Sequence, residues 1–310
     1  MSNNTIVVAC NANYFWGAFL FVASLRKCGM EEPVLVFQTG FTPKDKAALE
    51  KLGGVKFVSA GESKKNMTCR KPEAMLHADT EYITWCDCDA FFEGNCSEWL
   101  APAEPGGIHV RLRSEADNGA TFSRAGLYAP GEKPGPIPKV MLDTWRRDVG
   151  ELEESRLPAC VSACFLSVHR SRRFFLERWR DQMAKVLPDA DHGVVDAATR
   201  AYFQLDESVL NSLLCFMKDA PEVGQFMLDR VPGRRFVHFV TYPKPWQWWS
   251  PASLRAHDRV MELVRWCRER GLIDRPLPFP LNPRYARLHR PLARLAILWR
   301  IRRKLSGIMR

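Results

Sequence analysis

The sequence contains no run of about 18 or more uncharged apolar residues, the length a helix needs to cross a bilayer, so a spanning helix is not expected. Its opening residues, Met1, Ser2, Asn3 and Asn4, carry neither the basic flank nor the apolar core of a secretory signal, which makes folding in the cytoplasm the expectation. Cysteine is plentiful, with ten in 310 residues, yet no pair has the two-residue gap of a zinc knuckle. Cys86 with Cys88 and Cys160 with Cys164 miss that spacing, and buried free thiols are the simpler reading. There is no internal repeat. Acidic residues also run out: Asp274 is the last, and Arg275, Arg284, Arg287, Arg290, Arg294, Arg300, Arg302, Arg303, Lys304 and Arg310 follow it. The net charge of +10 is therefore concentrated at one end, which suits a polyanionic surface. No RNP, zinc-finger or helix-turn-helix signature accompanies the charge, so nucleic acid is not the expected partner.

What is present is a chain 46% hydrophobic, enough for a substantial core. The first hundred residues alternate in pattern. Thr5–Cys10 is a β-branched run suited to a strand buried on both faces. Tyr14–Cys28 reads as a helix closed by Gly29, and Val34–Phe37 as a second strand. Thr42 and Pro43 supply the cap and first-turn proline of a helix that Gly53 and Gly54 end. Val55–Val58, the helix Pro72–Ala78 and the strand Tyr82–Cys86 follow. This order predicts an α/β fold, a mainly parallel Rossmann-like sheet with helices on both faces. Proline and glycine in Ala101–Gly107 and Ala129–Pro138 predict a loop-rich insertion or lid over 99–158. Regular pattern resumes with a strand at Ala159–Val168, helices near Ser171–Val186 and Glu207–Met217, and a strand at Phe236–Val240. The expected division is a main domain over 1–250 and a basic helical extension over 251–310.

Chemistry concentrates where Tyr82–Cys86 runs into Asp87-Cys88-Asp89. Open α/β sheets place ligands at the carboxyl ends of their strands. Two carboxylates one residue apart can both reach a divalent cation there if the backbone turns. A hard ion such as Mg²⁺ or Mn²⁺ prefers oxygen ligands and is often shared with substrate phosphates. His238, at the end of a short apolar strand, can supply a third ligand, and Lys244 can neutralise phosphate charge.

In these blocks the chain resembles glycosyltransferase family 8 within the GT-A fold, a group that includes bacterial lipopolysaccharide sugar transferases and the glycogenins. The similarity covers roughly residues 5–250. It rests on a strand followed by Asn11-Ala12-Asn13-Tyr14, on Arg70 upstream of the Asp87 and Asp89 pair, and on Ser162-Ala163-Cys164-Phe165-Leu166. It continues through Asp206-Glu207-Ser208-Val209-Leu210-Asn211 and the segment from His238 to Trp246. Four positions depart from the family pattern: Asn11 stands for Asp, Ser162 for Asn, Glu207 for Gln and Thr241 for Gly. The identity of the sugar does not transfer through such changes.

The resemblance implies a metal-dependent transferase that moves a sugar from a nucleotide-sugar, a UDP-sugar foremost, to a glycan or lipid-linked acceptor. Asp87, Asp89 and His238 would bind Mn²⁺ or Mg²⁺, with Arg70 and Lys244 on the phosphates. Tyr14 would stack on the base, Asn13 and Asn11 would contact the nucleoside and Ser162 the sugar. Asp206 and Glu207 would lie beside the transferred sugar. Retention of configuration is implied by the family alone; Glu207 as a base would leave inversion open. The altered positions also admit a catalytically silent GT-A domain that binds nucleotide-sugar or glycan. In the tail, Leu288, Leu292, Leu295 and Trp299 share one helical face and Arg287, Arg290 and Arg294 another. That suits a helix lying peripherally on the inner face of the cell membrane through 284–310, or one packed on the main domain with solvated arginines.

Overall fold

In the computed structural model, which describes residues 3–61, 66–102, 104–188, 200–226 and 231–296, the β-branched run near the start becomes β1 (Asn4–Asn11). Its side chains alternate between two hydrophobic clusters: Ile6, Val8 and Cys10 enter one, Val7 and Ala9 the other. That alternation is what a strand covered on both faces requires.

The further strands are β2 (Val34–Thr39), β3 (Val55–Ser59), β4 (Tyr82–Cys86), β5 (Ala90–Glu93), β6 (Gly107–Leu112), β7 (Val161–His169), β8 (Glu222–Gln225) and β9 (Arg235–His238). Seven of them form one sheet in the order β3-β2-β1-β4-β7-β6-β8, and β5 pairs with β9 in a separate ribbon. β1 to β4 run parallel, β7 is antiparallel to both its neighbours, and β6 and β8 are parallel to one another. The sheet is thus mainly parallel, as expected, with one reversed strand in its middle.

The helices are α1 (Phe15–Lys27), α2 (Pro43–Glu50), α3 (Lys71–Met75), α4 (Ser97–Leu100), α5 (Glu115–Arg124), α6 (Lys139–Val149), α7 (Arg173–Val186), α8 (Asp206–Phe216) and α9 (His257–Glu269). The expected caps form: Gly29 follows α1 at φ 71°, and Thr42 with Asp45 closes a capping box on α2. α9 packs into the same cluster as α1, through Val260, Met261, Val264 and Cys267.

The stretch 99–158, expected to be loops, carries β6, α5 and α6. β6 draws its pairing from β7 and β8, partners far away in sequence, so its local pattern is weak. The proline-rich turn ends at Pro138, immediately before α6, and Met141, Trp145 and Val149 then recur every four residues along one buried stripe. Trp145 is fully buried, so this stretch belongs to the core.

Beyond 285 the described chain is helical to 296; His289 and Ala293 are buried, while Leu288 and Leu295 are exposed. Trp299 and the basic residues from 300 onward lie outside the described residues. Among the described residues, no helix is long and apolar enough to cross a membrane.

Candidate functional site

Because β1, β2 and β4 are parallel, Asn11, Thr39 and Cys86 end at the same edge of the sheet. A cavity of about 570 Å³ opens there, with Asn11, Tyr14, Lys71, Asp87, Asp89, His238 and Lys244 in its wall. This is the place an open α/β sheet reserves for ligands.

Two pairings bring the charged groups together. The Asp87 amide donates to the Cys164 carbonyl at 2.9 Å, so the reversed strand β7 props the turn after β4. In the β5–β9 ribbon Ala90 lies opposite His238, and the Phe239 amide donates to the Asp89 carbonyl at 2.9 Å. The ribbon therefore carries the imidazole to the two carboxylates. His238 Nε2 lies 3.1 Å from Asp89 Oδ1 and 3.5 Å from Asp87 Oδ2, and one ligand atom from each of the three residues falls within 4.8 Å of the others. Gly17 of α1 backs this turn: a Cβ there would stand 2.9 Å from the Cys88 carbonyl and 2.6 Å from the Trp246 ring, so only glycine fits.

Two lysines balance the acids. Lys244 Nζ is 2.6 Å from Asp89 Oδ2, donates to the Phe239 carbonyl and sits 4.5 Å from the centre of the Tyr242 ring. Lys71 Nζ is 2.9 Å from Asp87 Oδ1 and 2.9 Å from Asp206 Oδ2, and donates to the Ala163 carbonyl at 2.9 Å. Burial disfavours the Lys71 ammonium, but Asp206 and Asp87 outweigh it and raise its pKa. Burial likewise pushes the Asp206 carboxyl up to about 7 against the pull of Lys71. For Asp89, burial is overcome by His238 and Lys244, which hold it below the usual carboxylate range. His238 is raised well above its ordinary value, burial being outweighed by hydrogen bonds to Asp89 and Cys164. Two carboxylates and an imidazole that converge on one point suit a divalent cation, which would replace the imidazole proton as it bound.

Of the residues singled out from sequence, Asn11, Tyr14, Asp87, Asp89, His238 and Lys244 line the cavity. Asn11 accepts from the Asn13 amide at 3.1 Å, and the Asn13 carbonyl accepts from the Trp246 indole at 3.3 Å. The Tyr14 hydroxyl meets that of Tyr242, which also lines the cavity. Arg70 pairs with Glu73, donates to the Ala60 carbonyl and lies over Phe37, outside the cavity wall; its neighbour Lys71 stands in that wall. Asp206 lies behind Lys71. Glu207 and Ser162, both half-buried and outside the cavity wall, are joined to each other at 3.2 Å. Thr241 turns its hydroxyl to Ser250 at 2.8 Å, outside the cavity wall. Sequence reasoning missed Lys71, although a signal existed: Arg70 has an acid three residues on, whereas Lys71 is followed at those helical spacings by Ala74 and Met75 and must find partners elsewhere.

All ten cysteines are free, and burial pushes the Cys86 and Cys160 thiols up, which leaves them unreactive. Among the described residues, Asp87, Asp89 and His238 form the one group that could hold a metal ion.

No protein-family profile matches the chain, and no curated protein matches it. Solved structures do. The bifunctional glycosyltransferase WbbM in its apo form superposes with a TM-score of 0.52 at 11% identity, over 79% of this chain and 47% of that one. The galactosyltransferase LgtC, in complex with donor and acceptor sugar analogues, gives 0.50 at 14%, over 87% and 100%. The glycosyltransferase GlyE of Streptococcus pneumoniae TIGR4 gives 0.50 at 11%, over 86% and 64%. The matched part of this chain spans about half the length of WbbM and the whole of LgtC. At such identities the likeness speaks for architecture. The chain has the mixed α/β fold of the GT-A glycosyltransferases.

Proposed function

We propose that this protein is a glycosyltransferase that uses Mn²⁺ or Mg²⁺ to move a sugar from a nucleotide-sugar, a UDP-sugar foremost, to a glycan or lipid-linked acceptor. The observation that carries this reading is the convergence of Asp87, Asp89 and His238 at the carboxyl edge of the sheet, in the wall of a cavity that also presents Lys71 and Lys244. When bound, the cation supplies charge stabilisation to a departing diphosphate. Asp87, Asp89 and His238 hold it. Lys244 adds a positive charge for the phosphates, and Arg70, behind the wall, reaches the donor only by leaving Glu73. Tyr14 offers a ring for the base at the cavity mouth, with Asn11 and Asn13 beside it for the nucleoside. Asp206, Glu207 and Ser162, which lie next to Lys71 and the Ala163 backbone, take the side of the transferred sugar. Retention of configuration is the family expectation carried into this proposal.

The test is turnover of a nucleotide-sugar panel with Mn²⁺, with Mg²⁺ and with chelator. Metal-dependent release of nucleoside diphosphate from at least one donor is the expected result. Binding of donors without any turnover would favour the silent domain instead.

The same proposal seats 284–310 on an anionic membrane surface at the cytoplasmic face. Leu288 and Leu295 are 49% and 59% exposed, so the leucine face is not what attaches this helix to the domain; His289 and Ala293 do that. Arg287 and Arg294 flank the exposed leucines. Each basic residue near an anionic bilayer contributes about 1 kcal/mol. Replacing both Arg287 and Arg294 by Gln should weaken binding to phosphatidylglycerol vesicles by about tenfold or more. Equal sedimentation of the variant and the natural chain would remove the membrane from the proposal.

A further inference from the structure

Glu207 occupies a setting that its role as a base would not tolerate. One carboxylate oxygen, Oε1, takes a hydrogen bond from Gln204 Nε2 at 2.9 Å and is contacted by the Arg113 guanidinium. The other, Oε2, takes the Ala163 amide at 2.8 Å and the Ser162 hydroxyl at 3.2 Å. A carboxylate has about four acceptor positions. All four are used. Arg113 also donates to Gln204 Oε1 at 3.2 Å, which closes a three-membered ring of Arg113, Gln204 and Glu207. The Arg113 and Glu207 side chains are only 15% and 12% exposed.

The network leads directly to the candidate metal site. The Ala163 amide is fixed by Glu207, and the Ala163 carbonyl takes the Lys71 ammonium that also meets Asp87 and Asp206. It also anchors a strained turn. Leu205, just before Asp206, has φ 52° and ψ −120°, an outlier for a bulky residue that persists only where its surroundings over-determine it.

We infer that Arg113 is a positioning residue for sugar transfer: its ion pair with Glu207 fixes the Ser162–Ala163 backbone under Lys71, and Glu207 serves as that fixed, charge-paired anchor, not as base or nucleophile. The inference rests on the glycosyltransferase reading and deepens it. A lone carboxylate facing β7 would lack compensation in a buried setting, and a lone guanidinium would fare no better. Charge pairing, then, is what matters, and a neutral pair of similar shape should substitute for it.

The experiment compares Arg113→Met, Arg113→Lys, Glu207→Gln and the double variant Arg113→Met/Glu207→Gln, with kcat and donor KM measured separately and Mn²⁺-dependent UDP binding followed by calorimetry. Arg113→Met should lower kcat by about a hundredfold, the scale of losing a key preorganised group, with donor KM changed by no more than about threefold. The double variant should recover at least about tenfold of that loss, and Arg113→Lys, which keeps charge without the planar fork, should fall between. If Arg113→Met does not fold, the folded double variant and Arg113→Lys give the same comparison against Glu207→Gln. No recovery in the double variant, or unchanged kcat in Arg113→Met, overturns the inference. So does a sugar adduct on the peptide containing Glu207 after denaturing quench. A natural chain that neither binds UDP with Mn²⁺ nor turns over any donor would instead sink the underlying glycosyltransferase reading.

Discussion

Asp89→Ala is expected to reduce metal-dependent turnover of the nucleotide-sugar by about a hundredfold or more, the scale associated with removing one key electrostatic stabiliser. Three interactions disappear together. A cation held as proposed would lose one of three protein ligands, Lys244 loses the carboxylate at 2.6 Å, and His238 loses the partner at 3.1 Å. His238 is raised by its bonds to Asp89 and Cys164 against the effect of burial, so the variant imidazole should titrate lower than the natural one. The fold should survive, because the bond that docks β9 here uses the Asp89 backbone carbonyl, which alanine retains. Turnover against Mn²⁺ concentration is the measurement, with a thermal melt as control. Asp89→Asn should behave similarly, since it keeps shape and loses charge. Turnover within about threefold of the natural chain would contradict the assignment of these residues to a metal.

Much of this site was legible in the sequence because its geometry is encoded locally. Asp87 and Asp89 end a buried strand, and a parallel strand delivers its next residues to the ligand edge. The pairing of His238 with them depended on a ribbon, β5 with β9, whose first strand is four residues long and was not foreseen. His238 was singled out by its place at the end of a short apolar strand and by the resemblance, not by any sign of the ribbon. Arg113 had no such signal. It follows β6, a strand that exists through pairing with β7 and β8, in a stretch where proline and glycine suggested loops. The proline-rich turn is real, but the neighbouring segments bury Trp145 and Met141 and belong to the core. Arg70 illustrates a finer limit. The resemblance pointed to Arg70, but the helical turn pairs Arg70 with Glu73 and puts the adjacent Lys71 into the cavity wall.

Lys71→Met should have the largest effect on stability of any single change at the site. The Lys71 side chain is 5% exposed and stands between Asp87 and Asp206, at 2.9 Å from each, with the Trp85 ring centre 5.2 Å away. Methionine fills the space but leaves Asp206, itself buried, without compensation. Breaking a buried ion pair from one side costs about 3–5 kcal/mol. At roughly 2–4 °C per kcal/mol for chains of comparable size, the melting temperature should fall by about 10 °C. The pH dependence follows from Asp206, which burial already pushes up to about 7 in the natural chain. A carboxyl whose folded pKa is raised favours the folded state below its unfolded value, about 3.9, and loses that contribution as pH rises through the folded value. Without the ammonium that value climbs further, so this part of the Lys71→Met deficit should open as pH rises above about 7, where the natural chain has finished losing the Asp206 contribution and the variant has not, and should be narrow below it. Adding Asp206→Asn to Lys71→Met should restore most of the lost stability, since it removes the uncompensated charge. It should not restore sugar transfer, because the Ala163 carbonyl and Asp87 still lack the ammonium that ties them together. A Lys71→Met melt within about 2 °C of the natural chain, a shift below 1 kcal/mol, would mean that water reaches Asp206 and that its charge does not depend on Lys71 for compensation.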